Sequence, residues 1–261
     1  MSNGGRKRVR IKCSFAFVLL FQHVLMALRG ALVRRMRQAL VLNSGSSSIK
    51  YGVFEMRVEG EEIVGKAVAS GAVTNIVSGS EKRYEESVPS HGAALKRILE
   101  MVDMTNVAVV GHRVVHGGQD FSGPALIDDV TEEAIERNVP LAPLHNPAGL
   151  LGIREASQVM PHVPHVAVFD TAFHATMPPE SFRYAVPKAL YERFGVRRYG
   201  FHGTSYQYVF GAVSEMLPTG KRSSMIVFHL GNGASAACGK EGRCIDTTMG
   251  LTPLEGLVMG T

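Results

Sequence analysis

Apolar and polar residues alternate with two periodicities after Met36, one typical of strands and the other of helices. Short apolar runs predict strands at 39–43, 49–55, 63–68, 107–115, 163–170, 225–230 and 234–238. The longer segments between them predict helices at 91–101, 131–138, 147–160, 190–194 and 203–216, the second capped by Thr131. Three successive strands, followed by alternating helices and strands, indicate an α/β fold with a mixed sheet.

A unit of strand, small-residue turn and strand occurs twice, at 40–54 and at 226–238. Each copy opens a separate α/β segment. We therefore divide the chain into an N-terminal extension over 1–35, a first domain over 36–172 and the start of a second domain over 173–261. Too few residues follow the second unit to complete another sheet, so we expect a second domain that is cut short or a remnant.

The basic charge of the chain is confined to the extension. The sequence has 28 Lys and Arg against 23 Asp and Glu, and eight of the basic residues but none of the acidic ones lie within 1–35. The remaining 20 basic residues are outnumbered by the acids, so the net charge of +5 does not indicate nucleic-acid binding by the folded body.

The extension combines a basic cluster at 6–12 with an apolar run over 13–28. This order is typical of a signal peptide or a short anchor, but two polar residues interrupt the run and no small-residue cleavage site follows it. A third interpretation is that translation begins at Met36. We expect a segment unrelated to the fold and no membrane association, while targeting and anchoring stay open.

Composition favours a globular protein of a reducing compartment. With 45% hydrophobic and 20% charged residues, wholesale disorder is excluded. Cys13, Cys238 and Cys244 include no CxxC pair and cannot build a disulfide framework, so we expect a cytoplasmic protein. The ten histidines show no HExxH or Cys/His spacing, which argues against a transition-metal site.

The first small-residue turn, LNSGSSSIK at 42–50, offers several groups that bind phosphate. Its backbone N–H groups, the hydroxyls of Ser46 and Ser48 and the amide of Asn43 can contact phosphate oxygens or a hydrated Mg²⁺, and Lys50 can add a positive charge. A flexible serine-rich hairpin explains the same residues. The turn lacks the spacing of a Walker A loop.

A second turn of this kind, HLGNGAS at 229–235, lies between the last two predicted strands. Asn-Gly between strands is a common hairpin signal, so this turn alone has a purely structural explanation. Two such hairpins in separate segments can clamp a polyphosphate from both sides of a cleft.

Three further strings place a reactive side chain where a strand ends or a helix begins. Arg113 in HRVVHGG (112–118) and Asp170 in FDTAFH (169–174) end strands, the edge at which α/β sheets bind ligands. Arg113 presents a fork to a carboxylate or phosphate, and a structural ion pair is the alternative. His202 in YGFHGTS (199–205) can approach a phosphoryl group beside helix N–H donors, or act as a cap or core residue.

In this order, these strings resemble the acetate kinase family of acyl-phosphate-forming kinases. PLHNP at 143–147 and DTTMGLTPLEG at 246–256 extend the resemblance over 36–261. It implies the ribonuclease-H-like fold of the sugar kinase, Hsp70 and actin superfamily, with two domains around a nucleotide cleft. It also implies a homodimer that transfers the γ-phosphoryl group of ATP reversibly to acetate, with Mg²⁺ or Mn²⁺, giving acetyl phosphate and ADP.

The resemblance assigns three catalytic residues. Arg113 holds the acetate carboxylate, Asp170 has an acid/base or metal-positioning role, and His202 stabilises the transferring phosphoryl group. A carboxylate is already a nucleophile, so alignment and charge neutralisation matter more than deprotonation. We therefore do not expect Asp170 to act mainly as a general base.

The resemblance also assigns binding residues. Asn43 is implied as the Mg²⁺–phosphate ligand, and Lys50, with Ser46 and Ser48, as a nucleotide contact. The phosphate-binding hairpin comprises His229, Leu230, Gly231, Asn232 and Gly233. The apolar pocket for the acetate methyl group comprises Val115, Leu144, Phe201 and Pro253.

The sequence matches the family pattern through its last residues, 259–261, and departs from that pattern where the sequence ends. The family continues there with an arginine that stabilises the transition state, adenine-binding segments and a glutamate that positions Mg²⁺. We expect residues 1–261 alone to be inactive or nearly so, and prone to aggregation. A propionate or butyrate kinase, and a non-catalytic remnant that binds a nucleotide or a partner, stay open as alternatives.

Overall fold

Two β-sheets organise the chain. The computed structural model describes Val24 and residues 38–45, 47–59, 62–74, 76, 88, 90–217 and 224–260. The strands are β1 (Gln38–Ser44), β2 (Ile49–Glu59), β3 (Glu62–Val73), β4 (Val107–Val114), β5 (Ala125–Leu126), β6 (His165–Phe169), β7 (Ser224–Leu230), β8 (Ala234–Lys240) and β9 (Arg243–Thr247). The α-helices are α1 (His91–Met101), α2 (Asp129–Arg137), α3 (Asn146–Val159), α4 (Pro179–Phe182), α5 (Lys188–Phe194) and α6 (Gly203–Met216), and 3₁₀-helices lie at Met104–Asn106, Val139–Leu141 and Ala172–Thr176.

The larger sheet has the strand order β3-β2-β1-β4-β6-β5. Its first three strands pair antiparallel as a meander, β4 and β6 run parallel to β1, and the short β5 pairs antiparallel with β6. Parallel neighbours need crossover connections, and α1 and the pair α2 and α3 provide them. This mixed sheet confirms the predicted α/β, ribonuclease-H-like fold class.

Helices α1 and α3 cover one face of the larger sheet. Leu40 and Leu42 of β1 pack there with Leu95 and Ile98 of α1. Helix α3 approaches β1 so closely that a Cβ at Gly152 would overlap the Ser44 hydroxyl. The absence of a side chain at this glycine therefore sets the distance between helix and sheet.

The opposite face of the sheet is apolar in its middle and polar at one end. Ala39 and Val41 of β1 are fully buried there, and Asn43 follows them with the strand period of two. Strand β4 continues this face with Gly111, and the space that a Cβ at Gly111 would take is filled by the buried Val24 side chain. The rest of the predicted N-terminal extension lies outside the described residues.

The smaller sheet is an antiparallel meander of β7, β8 and β9. Helix α6 and the 3₁₀-helix Ala172–Thr176 contribute to one cluster with this sheet, in which Phe173, Tyr206 and Phe210 pack on Ala237 and Cys244. This cluster joins the segment after β6 and helix α6 to the second sheet, so the segments that follow Asp170 and His202 are fixed against one another.

The predicted elements agree with the structure except in detail. Helices 91–101 and 203–216 have the predicted bounds. Thr131 as N-cap was wrong: Asp128 is the cap, and its Oδ1 accepts the Thr131 N–H at 2.8 Å. Strands β5 and β9 and the short helix α4 were not predicted. Within the described ranges, Cys238 and Cys244 are free thiols, and none of the helices has the length and apolar character to cross a membrane.

Candidate active site

Arg113 and Asp170 form an ion pair at the ends of β4 and β6. The Asp170 carboxylate is buried and accepts Arg113 Nη2 at 2.6 Å and Nε at 3.1 and 3.2 Å. The Asp170 charge raises the pKa of Arg113, more than burial lowers it. The strand ends are adjacent because Val114 of β4 pairs with Phe169 of β6.

Asn43 of β1 completes this cluster from the other side of β4. Its Oδ1 lies 3.4 Å from Arg113 Nη1, a long contact compared with those to Asp170. Asp170 therefore occupies the Nε and Nη2 edge of the guanidinium, and the Nη1 and Nη2 edge keeps N–H groups for a ligand. Arg113 is about one-third exposed, so such a ligand can reach it.

The backbone fixes Asp170 against the segment that carries His202. The Asp170 N–H donates to Val114 O at 3.1 Å, and the Gly203 N–H donates to Asp170 O at 2.8 Å. A Cβ at Gly203 would overlap that carbonyl group, so glycine is required after His202. One backbone hydrogen bond thus joins Asp170 of the charged pair to the first turn of α6.

Two histidines stack face to face beside this pair. The rings of His202 and His229 have centroids 4.0 Å apart and an interplanar angle of 21°. His202 Nδ1 lies 2.8 Å from Ser235 Oγ, and His229 Nδ1 lies 2.9 Å from Ser205 Oγ. In each ring, Nδ1 is therefore hydrogen-bonded to a serine hydroxyl.

Both imidazoles are neutral at neutral pH. Burial, and then the neighbouring His229, lower the pKa of His202 to about 4. Burial also lowers the pKa of His229. Asp170 raises and Arg113 lowers the pKa of both histidines, so the charges of the ion pair act on both rings. Neutral rings beside the pair can donate hydrogen bonds without adding a charge.

The first small-residue turn is narrow and supported from α1. The Gly45 N–H donates to Ser48 O at 2.8 Å, and His91 Nε2–H donates to Gly45 O at 2.7 Å. Lys50 is exposed and lies opposite Asn43 in the strand register. Ser48 is half-buried, whereas the predicted contact Ser46 lies outside the described residues. Sequence reasoning missed His91, which stands at the start of a helix with no motif around it.

The second turn is a tight hairpin next to His202. The Gly231 N–H donates to Gly233 O at 3.1 Å, and the Gly260 N–H donates to Asn232 O at 3.0 Å. A Cβ at Gly233 would lie 3.2 Å from His202 Nε2, so this hairpin and the ring are in direct proximity. Leu230 is 72% exposed. Of the five predicted hairpin residues, His229 and Gly233 are thus the ones brought next to His202.

The four predicted pocket residues have different environments. Phe201 is buried, and its ring meets the edge of His116, next to Val115, with centroids 5.6 Å apart. Val115 and Pro253 are half-buried, whereas Leu144 is 79% exposed. The structure therefore links Phe201 to the end of β4, and Leu144 lies on an open turn.

Sequence reasoning missed several residues that hold the site. Asn146 accepts the His116 N–H at 3.1 Å and donates to His116 O at 2.9 Å, which fixes the chain after Arg113. His174 donates from Nε2 to Phe201 O at 2.9 Å, while its Nδ1 lies 3.2 Å from Cys244 Sγ. Burial is the main cause that lowers the pKa of His145. The charge of Arg113 lowers this pKa further, and the charge of Asp170 raises it.

The site offers oxygen atoms of the kind that a hard divalent cation such as Mg²⁺ binds. Among the described residues, no group of three or more His, Cys, Asp and Glu side chains is placed to hold a metal ion. Mg²⁺ keeps most of its water and binds one or two protein oxygens together with substrate phosphates. The Asn43 amide and the Asp170 carboxylate, both in contact with Arg113, provide oxygens of this kind.

Comparisons with known proteins match this chain to one family. The sequence model of the Acetokinase family matches residues 38–261. An acetate kinase of Thermotoga maritima is 48% identical over 242 residues, which cover 86% of this chain and 59% of the relative. The chain thus spans about three-fifths of the length of the curated relatives that it matches.

Solved structures give the same result. The crystal structure of Porphyromonas gingivalis acetate kinase has a TM-score of 0.76 at 39% identity, with 86% of this chain and 60% of the other covered. A propionate kinase from Francisella tularensis has a TM-score of 0.72 at 40% identity, with 87% and 60% covered.

Proposed function

Since the chain belongs to the acetokinase family, we propose that its site serves the reversible transfer of the ATP γ-phosphoryl group to acetate, which yields acetyl phosphate and ADP. The observation that carries this proposal is the Arg113 fork, held at one edge by the buried Asp170 carboxylate and with N–H groups left for a ligand at the other edge. A backbone hydrogen bond from Gly203 to Asp170 connects this ion pair to the segment that carries His202, which stacks on His229.

The free edge of Arg113 suits a small carboxylate. Nη1 and Nη2 can donate two parallel hydrogen bonds to the two acetate oxygens, while Asp170 keeps the guanidinium from rotating. The distance of 3.4 Å to Asn43 Oδ1 marks a contact that a better acceptor can replace. Asp170 therefore orients Arg113, and it has no proton to remove from an ionised acetate.

The neutral histidines suit the transferring phosphoryl group. In the reaction, an acetate oxygen forms a bond to the γ-phosphorus as the bond from that phosphorus to the β–γ bridging oxygen breaks, and ADP leaves with the electron pair. No proton is transferred, so catalysis depends on position and on charge stabilisation. His202 donates to an equatorial oxygen as charge develops there.

A bound Mg²⁺ would neutralise charge on the nucleotide phosphates. The Asn43 amide oxygen could hold part of its hydration shell, together with the Asp170 carboxylate, which contacts the same arginine. Lys50, exposed on the neighbouring strand, adds positive charge on the same side of the turn.

The test is acetyl phosphate formation by the protein expressed from its own gene, with hydroxylamine present to trap the product as acetohydroxamate. We expect hydroxamate that depends on acetate, ATP and Mg²⁺ together, and its loss in Arg113→Ala. Nucleotide binding without transfer to any short carboxylic acid would instead support a non-catalytic nucleotide-binding protein.

The similarity to a propionate kinase makes acyl-chain length a second question. One extra methylene changes binding by roughly 1–3 kcal/mol, so the ratio of kcat/KM for acetate and propionate separates the two substrates. We expect acetate to be preferred by at least about tenfold. A ratio that favours propionate would assign the site to the longer acid and leave the phosphoryl transfer unchanged.

A further inference from the structure

A buried tyrosine and a buried serine stand in line behind the His202 ring. The Tyr206 hydroxyl lies 2.5 Å from Ser235 Oγ, and Ser235 Oγ lies 2.8 Å from His202 Nδ1. Both residues are fully buried. The chain of contacts connects α6 to β8 beneath the turn that carries His202, and no step of the proposed reaction uses it.

The direction of these hydrogen bonds follows from the buried end of the chain. The Tyr206 O–H is a buried donor that needs an acceptor, and Ser235 Oγ is the acceptor that the described residues place next to it. Tyr206 therefore donates to Ser235, and the single Ser235 hydroxyl proton is left for His202 Nδ1.

The protonation of the neighbours agrees with this direction. Burial raises the pKa of Tyr206 to about 12, so its hydroxyl keeps the proton that it donates. Burial keeps His202 neutral, and a neutral ring that accepts at Nδ1 carries its proton at Nε2. The Nε2 atom is the one that faces Gly233 of the second hairpin.

We propose that Ser235, oriented by Tyr206, is a positioning residue that holds the neutral His202 ring in the tautomer with its proton on Nε2. This tautomer aims an N–H donor at an anionic oxygen bound beside the 231–233 turn. The other tautomer would aim a lone pair at the same anion and repel it.

The tautomer is a property of this chain alone, whereas its use in catalysis rests on the proposed function. Under that function, the Nε2–H meets an equatorial oxygen of the transferring phosphoryl group. His229 has a parallel contact from its Nδ1 to Ser205, but the direction of that bond is not fixed by a second buried donor.

The direct test is long-range ¹H–¹⁵N NMR of the histidine rings at neutral pH in the protein expressed from its own gene, with His202 assigned by its absence in His202→Asn. We expect His202 to show a protonated Nε2 and an unprotonated Nδ1. In Ser235→Ala we expect a mixture of both tautomers, while Ser235→Thr, which keeps a hydroxyl, retains the Nε2–H form.

A matched control lies on the same helix as Tyr206. Ser214 donates to Phe210 O at 2.7 Å, away from both histidines, so Ser214→Ala leaves the His202 signals unchanged. Tyr206→Phe removes the orienting donor and shifts the tautomer in the same direction as Ser235→Ala. If Ser235→Ala does not fold, the wild-type spectrum and Tyr206→Phe still decide the question.

A proton on Nδ1 of His202 in the wild-type protein overturns the proposal, and so does a Ser235→Ala spectrum identical to wild type. If the protein transfers phosphoryl groups, Ser235→Ala also lowers kcat on the order of tenfold with an unchanged KM for acetate, less than the loss of the donor itself. Absence of transfer would count against the proposed function and leave the NMR result standing.

Discussion

Single side chains at this site act through the atoms that their neighbours leave free. Asp170 occupies one edge of Arg113 and leaves the other, and Ser235 occupies Nδ1 of His202 and leaves Nε2. The sequence identified Arg113, Asp170 and His202 from strings at strand ends and before a helix. It did not single out Ser235, the last residue of HLGNGAS, because the sequence does not show its contact with a histidine 33 positions away.

The free edge of Arg113 predicts a strong effect on acetate binding. Arg113→Lys replaces a planar fork with a point charge that cannot serve Asp170 and a ligand together, and we expect acetate affinity to fall about 10- to 100-fold. The measurement is a titration with ¹³C-labelled acetate followed by NMR. Arg137→Lys is the matched control, because Arg137 pairs with Asp120 on the surface. Wild-type affinity in Arg113→Lys would remove the arginine from the acetate site.

We expect replacement of the His202 ring to lower the rate of the reaction without an effect on substrate binding. His202 has a φ of 58°, a left-handed conformation that asparagine also tolerates. In His202→Asn we therefore expect a preserved fold, an unchanged KM for acetate and a kcat that falls on the order of 10²–10³. The measurement is steady-state kinetics, with thermal melting as the check on folding. A kcat that changes less than about threefold would contradict the role of His202 as a donor to the phosphoryl group.

At the scale of elements, the sequence predicted strands and helices well where burial follows a simple period. The apolar strand β1 and the helices α1 and α6 are of this kind. Strand β5 has two residues and β9 is a short, mixed strand, so neither produces a pattern. The two turns that face the site were placed correctly as small-residue hairpins, but the support of the first turn by His91 depends on a contact across 46 residues.

In the turn before α6, we expect that only glycine fits at position 200. Gly200 has a φ of 74°, and a Cβ there would lie 2.8 Å from Cδ2 of the buried His174. Gly242 has a φ of 78° with nothing within 4 Å, so Gly242→Ala measures the backbone strain alone. We expect Gly200→Ala to lower the free energy of unfolding by about 1–3 kcal/mol more than Gly242→Ala.

Urea denaturation of the two glycine variants at the same pH gives this difference. Equal losses would mean that the space around Gly200 can relax, and that His174 does not hold the turn in place.

At the scale of the whole molecule, several histidines are buried in neutral form. Burial lowers the pKa of His116 and of His174 to about 4, and it also lowers the pKa of His112. These groups belong to β4 and to the segments after β4 and β6, so they connect the larger sheet to the site. Their burial was not predicted, because a lone histidine in an apolar string does not reveal what covers it.

These histidines predict a stability that depends on pH. A histidine whose pKa is lower in the folded state than its unfolded value of 6.5 contributes stability above pH 6.5 and loses it as the pH falls towards 4. For His116 and His174 together, we expect the free energy of unfolding to fall by on the order of 4 kcal/mol between pH 7 and pH 5.

Urea denaturation across this range measures the fall, and His116→Gln, which has no titratable group, serves as the comparison. Over the same interval, the variant should lose about 2 kcal/mol less stability than wild type, which is the share of one such histidine. A free energy of unfolding that stays constant from pH 7 to pH 5 would show that these rings are accessible to protons in the folded protein.

The central claim is that a carboxylate oxygen held by Arg113 attacks the γ-phosphorus of ATP. The most direct measurement uses acetate labelled with ¹⁸O in both carboxyl oxygens, together with ATP and Mg²⁺, and follows the product by ³¹P NMR. We predict acetyl phosphate in which ¹⁸O bridges carbon and phosphorus, seen as an isotope shift of the phosphorus signal. Unlabelled acetyl phosphate, or ATP that is only hydrolysed, would contradict the assignment of this site.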